Sequence, residues 1–112
     1  MAEINKNKEK GINFYPGEFD NIIHEKSRLG IMTLLLLNRE CDFNFLKEKL
    51  KLTDGNLSRH LQKLEEAGYI EVKKGFKGRR PHTVYRLSLL GKEKLNKYLK
   101  DLENFLGRLR KD

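Results

Sequence analysis

Within ten residues the chain places Asp54, Gly55, Asn56, Ser58, Arg59, Gln62 and Lys63, a set rich in groups that match nucleic-acid chemistry. A guanidinium can pair bidentately with guanine, an Asn or Gln amide with adenine, and Lys and Ser can hold phosphate oxygens. A second cluster follows in Gly75-Phe76-Lys77-Gly78-Arg79-Arg80-Pro81, which joins three cations to two glycines and a proline. Like charges repel at a turn, so the cluster either meets a negatively charged partner or is a soluble turn.

Charge density separates these two readings. Between Tyr69 and Ser88 lie Lys73, Lys74, Lys77, Arg79, Arg80 and Arg86 against the single anion Glu71, a local net of +5 out of +8 for the whole chain. A solvated turn needs one or two charges. Each Lys or Arg that neutralises a phosphate releases counterions, so a loop of this kind is an effective anchor on a polyanion and carries no sequence information. Arg79 or Arg80 could also enter a narrow minor groove. A polar face on an exposed helix is ordinary by itself, so the first cluster gains its meaning from the second.

Other chemistry finds little footing. No Ser or Cys nucleophile stands near a base, and no phosphate-binding glycine loop or carboxylate pair in an apolar setting is present, so the chain does not read as an enzyme. Cys41 is the one cysteine, and His24, His60 and His82 are scattered without ligand spacing, so no metal site and no cofactor are expected. His60 and His82 read as phosphate neighbours or packing residues. Cys41 reads as core, with a redox role the alternative.

A chain of 112 residues fits one domain with a modest core. A surplus of 24 Lys and Arg over 16 Asp and Glu favours a polyanionic partner. The longest apolar run, around Leu34 to Leu37, is far short of the roughly 20 residues of a membrane span, and the N-terminus has no apolar signal core. The expectation is a cytoplasmic protein.

The elements that must position the two clusters are legible from periodicity. Residues 1–17 alternate Lys, Asn and Glu with breakers at Gly11, Pro16 and Gly17, and read as a flexible arm. Phe19, Ile22 and Ile23 recur at helical spacing. Ser27 is the expected cap of a helix over 28–38 that is apolar on nearly every side and therefore central. Asn44 is the expected cap of a short amphipathic helix carrying Phe45, Leu46 and Leu50, preceded by an extended bridge at Cys41 to Phe43. After Lys51-Leu52-Thr53, Leu57, Leu61 and Leu64 fall on one helical stripe, which turns Gly55, Asn56, Arg59, Gln62 and Lys63 outward with Ser58 at the edge. Thr53 is its cap and Gly68 its C′ residue.

From Tyr69 the period becomes two. Ile70 and Val72 should face one way and Tyr69 and Glu71 the other, and Thr83, Tyr85 and Leu87 should alternate with Val84 and Arg86. That is a β-hairpin with the basic cluster at its tip. Ser88 then caps a last helix to about Arg110, whose Leu95, Leu99, Leu102, Leu106 and Leu109 step by four and three, a heptad seam widened by Tyr98 and Phe105. The expected fold class is mainly α with a small β-hairpin, organised as an arm over 1–17, a domain over 18–88 and a dimerisation helix over 89–112.

The stretch Leu52-Thr53-Asp54-Gly55-Asn56-Leu57-Ser58-Arg59-His60-Leu61, followed by Leu64-Glu65-Glu66-Ala67-Gly68-Tyr69-Ile70 and by Thr83, Tyr85, Leu87 and Gly91, resembles the winged helix-turn-helix domain of small bacterial and archaeal transcription regulators of the broad MarR/ArsR type. The match extends over roughly residues 19–96. The resemblance implies a recognition helix over 54–67, bearing Asp54, Gly55, Asn56, Ser58, Arg59, Gln62 and Lys63, in the major groove of double-stranded DNA. It implies a wing over 69–88 whose basic part, 73–82, sets Lys73, Lys74, Lys77, Arg79, Arg80 and His82 on phosphates or minor groove. It also implies a homodimer held by the terminal helices, in agreement with the seam of Leu95, Tyr98, Leu99, Leu102, Phe105, Leu106 and Leu109, and hence a pseudo-palindromic operator. The rivals are a winged-helix module that binds a protein or an RNA.

Overall fold

Every helix begins where a side-chain oxygen takes up an orphaned backbone N–H. The computed structural model describes residues 19–110, in the order α1 Lys26–Asn38, β1 Cys41–Asp42, α2 Phe43–Leu50, α3 Asp54–Glu66, β2 Ile70–Lys77, β3 Arg80–Leu87 and α4 Leu89–Leu109. The expected arm over 1–17 lies outside the described residues. Thr53 Oγ1 accepts from Asn56 N at 3.1 Å, and Ser88 Oγ accepts from Gly91 N at 2.9 Å. Gly68 sits at φ 80 directly after the last turn of α3, where an L side chain would be strained.

Two expected caps are displaced. The cap of α1 is Glu25, whose Oε1 accepts from Arg28 N at 2.8 Å, while Ser27 is buried within the first turn. The cap of α2 is Asp42, whose Oδ1 accepts from Phe45 N at 2.8 Å, and Asn44 falls inside the helix. Pairing of Asp42 with Val84 holds the Asp42 backbone extended, which is the conformation a cap needs.

The core gathers Ile31, Met32 and Leu35 of α1, Leu46 of α2, and Leu57 and Leu64 of α3, all at most 1% exposed. Burial of each such side chain contributes about 1.5–3 kcal/mol. The α1 helix is not buried all round as its composition suggests, because its last turn leaves Leu36 and Leu37 exposed at 42% and 73%. Phe19 and Ile23 are buried, but they sit in a turn rather than a helix, where Asp20 Oδ1 accepts from Ile22 N at 2.8 Å. Asp20 Oδ2 also accepts from the Tyr69 hydroxyl at 2.5 Å. Tyr69 therefore points inward, against the expected alternation, since it precedes the first paired residue of β2.

The sheet is antiparallel in the order β1-β3-β2, with Cys41 opposite Tyr85 and Ile70 opposite Leu87. It packs onto the start of α4 through Gly91, which is buried where a Cβ would overlap the Tyr69 carbonyl. Further along α4, Leu95 and Tyr98 are 1% and 4% exposed in the protein's own core. Tyr98 donates or accepts at His24 Nδ1 over 2.7 Å, and the Phe19 ring meets those of Tyr98 and Phe105 at 5.7 and 6.3 Å between centroids. The heptad seam thus divides. Leu95, Tyr98, Leu102 and Phe105 pack inward, whereas Leu99, Leu106 and Leu109 stay exposed at 40%, 38% and 63%. No helix among the described residues is long and apolar enough to cross a membrane.

Candidate nucleic-acid interface

The turn from α2 to α3 is three residues long and sets the exposed helix. Lys51 adopts the left-handed conformation at φ 55 and ψ 48, and its N–H donates to Lys47 O, so the chain reverses at once into the Thr53 cap. Leu57, Leu61 and Leu64 then anchor α3 to the core. With that stripe buried, Gly55, Asn56, Ser58, Arg59, Gln62 and Lys63 all lie on the exposed side. Asp54 is also exposed, but it is held by an ion pair with Lys47 at 2.8 Å, which ties α3 to α2. Gln62 Nε2 donates to Glu66 Oε2 at 3.2 Å, one turn along the same face.

His60 belongs to a different constellation. Arg28 Nη1 donates to His60 Nδ1 at 3.1 Å, and Glu25 Oε1 lies 3.8 Å from the same nitrogen. A guanidinium has only donors, so this hydrogen bond requires the neutral imidazole. Burial lowers the His60 pKa below its ordinary value, and the Arg28, Arg59 and Lys63 charges add to that, against the opposing pull of Glu25. For Glu25, burial works upward, but the backbone N–H groups of Arg28 and Ser27 and the charges of His60 and Arg28 hold the carboxyl below its usual range. Arg28 is the residue that sequence reasoning missed. Its signal was weak, because the acceptors of its side-chain hydrogen bonds lie six, seven and 32 positions away, and only the longer ion pair to Glu25 at 3.9 Å is local.

The wing is a ribbon closed by a two-residue turn at Gly78 and Arg79, between the pair Lys77 and Arg80. Gly78 at φ 66 supplies the positive dihedral that such a turn places at its first central residue. The basic cluster is accordingly not all loop. Gly75, Phe76 and Lys77 belong to β2, and Arg80 and Pro81 to β3. Residues directly opposite share a face, so Lys74 and Phe76 lie with Thr83 and Pro81, and Lys73 and Lys77 lie with Val84 and Arg80.

Of the six hairpin cations, Arg86 is neutralised by Glu71 at 2.8 Å. Lys73, Lys74, Lys77, Arg79 and Arg80 are exposed and form no ion pair among the described residues. His82 differs from them, since its Nε2 lies 3.3 Å from Asp42 Oδ2 and joins the wing to the cap of α2. The Asp42 carboxyl is held below its usual range, first by the Phe45 N–H and then by His82 and Lys77, with burial opposing. Among the described residues, no group of His, Cys, Asp and Glu has the geometry of a metal site. Cys41 is buried beside Leu34 O at 3.7 Å, and burial raises its thiol pKa, as fits a packing role.

Comparison with known proteins gives this geometry a family. The chain is 41% identical over 81 residues to the uncharacterized protein MJ0432 of Methanocaldococcus jannaschii, covering 72% of this chain and 88% of that one. It is similar to the solved transcriptional regulator homologue protein of Pyrococcus horikoshii, with 29% identity, a TM-score of 0.76, and coverage of 98% and 99% of the two chains. The fold is shared with Bacillus subtilis PadR, solved in complex with operator DNA, at 20% identity and a TM-score of 0.60 over 67% of this chain and 47% of that one. The model of the winged helix DNA-binding domain matches residues 27–106, which take in the helix-turn-helix, the wing and most of α4, and the chain therefore belongs to the winged helix DNA-binding domain family.

Proposed function

We propose that the chain is a sequence-specific regulator of transcription that binds duplex DNA as a homodimer. The observation that carries this reading is the pairing of an exposed helix face of hydrogen-bonding side chains with a directly following ribbon of five cations that have no ion-pair partner among the described residues. In it, α3 enters the major groove, with Asn56, Arg59 and Gln62 at base edges and Ser58 and Lys63 on the backbone. Gln62 is then released from Glu66, while Asp54 keeps α3 oriented through Lys47. Lys73, Lys74, Lys77, Arg79 and Arg80 take the flanking phosphates or minor groove.

The dimer uses what α4 leaves uncovered. Leu99, Leu106 and Leu109 form a second stripe, distinct from the one packed inward, and Leu102 and Phe105 border both. Leu95 and Tyr98, expected in the seam, have no surface left for a partner and support the stripe from beneath. Two such subunits would present two helices to half-sites roughly 10 bp apart or a small multiple, hence a pseudo-palindromic operator. The test is a duplex selected by the chain from a random pool, compared with random duplex, single strands and structured RNA. Arg59→Ala should weaken the selected duplex by about 1–3 kcal/mol more than random duplex. Equal loss on both would remove the base-reading role, and preference for RNA would remove the duplex reading.

A further inference from the structure

We propose that the wing is also a wedge, in which Phe76, backed by Pro81, inserts between stacked base pairs of the minor groove and bends the duplex. This rests on the duplex-binding reading above. Phe76 is 75% exposed, and it stands in the most cationic part of the chain, between Lys74 and Lys77. A single exposed ring is common on protein surfaces and would mean little alone. Its setting is what distinguishes it.

The ring sits on a stiff support. Lys77 and Arg80 close the turn as a hydrogen-bonded pair, so the alternation of the ladder makes Phe76 and Pro81 a non-hydrogen-bonded pair, the kind in which opposite side chains approach most closely. Pro81 has no N–H to offer. At that position its nitrogen faces the edge of β3 away from β2, and β1 ends at Asp42 opposite Val84, so no ladder bond is forfeited. The tip is therefore a free ribbon, two strands wide, ending in two apolar rings side by side with Arg79 and Arg80 at its very end.

The direction of the ring also fits. Phe76 shares its face with Tyr85, Ile70 and Leu87, and the last two are buried in the core that also takes Leu57, Leu61 and Leu64 of α3, so this is the sheet face that looks toward the helices. A duplex seated on α3 lies on the ring's side of the ribbon. The minor groove is about 6 Å wide, too narrow for the whole ribbon but open to a projecting side chain. Apolar wedges at such sites unstack a base step and kink DNA by roughly 20–90°. Lys74 lies on the ring's own face, Arg79 stands in the turn, and Lys77 and Arg80 flank the ring from the other face, so phosphates bordering the opened step meet cations beside the wedge.

The test uses the full chain and a duplex it has selected from a random pool, permuted so that the site lies at different positions, and with 2-aminopurine placed at the flanking steps. The native complex should migrate according to site position, and the fluorescence should rise on binding. Phe76→Ala, a change at an exposed site, should keep binding within about tenfold and keep the salt dependence, because the cations remain. It should lose both the position-dependent migration and the fluorescence rise, and Phe76→Trp should restore them. A Phe76→Ala complex that bends and fluoresces like the native one overturns the wedge and leaves duplex binding standing. A loss confined to single strands overturns it in favour of stacking there. A native chain that shifts no duplex overturns the wedge and the reading beneath it together.

Discussion

Arg28 joins His60 across α1 and α3, with Nη1 3.1 Å from Nδ1, while its Nε donates to Ile22 O at 2.6 Å. One guanidinium thus fastens the chain before α1, α1 itself and α3. Protonation of His60 would turn an acceptor into a donor facing a donor. Because the folded-state pKa is depressed below the ordinary 6.5, the His60 contribution to stability is fully present above pH 6.5 and is lost as pH falls through the folded value. Glu25 and Asp42, also depressed, lose their contributions only as pH falls below their ordinary values of 4.5 and 3.8. Urea midpoints should therefore fall between pH 7.5 and 5, and His60→Gln, which can still accept from Arg28, should flatten that fall. An equal pH dependence in the variant would refute the role of His60.

The wing cations should act on affinity without regard to sequence. Replacing Arg79 and Arg80 by Ala should weaken selected and random duplex alike, and should make the slope of log affinity against log salt shallower by about 0.9 for each phosphate no longer neutralised. Filter binding from low to high salt measures it. An unchanged slope would return the cluster to the status of a solvated turn.

For the dimer, Leu106→Lys is the discriminating change, because Leu106 is 38% exposed and its removal leaves the inward stripe intact. Light scattering should show the native dimer mass fall to that of the monomer, with the helical circular dichroism retained. A dimer mass that persists would place the interface elsewhere than on α4.

Gly91 offers a test of the fold rather than of binding. A Cβ there meets the Tyr69 backbone carbonyl, which also accepts from Ser88 N at 3.0 Å and has no freedom to retreat. Gly91→Ala should cost about 1–3 kcal/mol, the usual range for overpacking a fixed backbone. Thermal and urea unfolding check it, with Gly107→Ala, a helical position where nothing lies within 4 Å, as the control expected to hold stability or raise it by up to about 1 kcal/mol.

The Tyr69 hydroxyl, pushed up to about 12 by burial and by its bond to Asp20, stays protonated at any physiological pH and serves only to hold the turn at Asp20. It shows where sequence reasoning stops. The alternation of Ile70, Val72, Tyr85 and Leu87 was legible because a strand pattern is a local property. The inward turn of Tyr69 was not, since its partner lies 49 residues away.

The same division runs through the molecule. Thr53, Gly68 and Ser88 mark helix ends from the sequence alone, because capping is chemistry between residues two or three apart. The polar face of α3 follows from Leu57, Leu61 and Leu64, and the excess charge of the wing from simple counting. Tertiary structure decided what depends on distant partners: that Asp42 rather than Asn44 caps α2, because Val84 holds its backbone; that Glu71 removes Arg86 from the free cations; and that His60 turns toward Arg28 instead of outward. It also divided one leucine heptad into a half that builds the core and a half left at the surface, since a repeat specifies an apolar stripe but not which neighbour covers it.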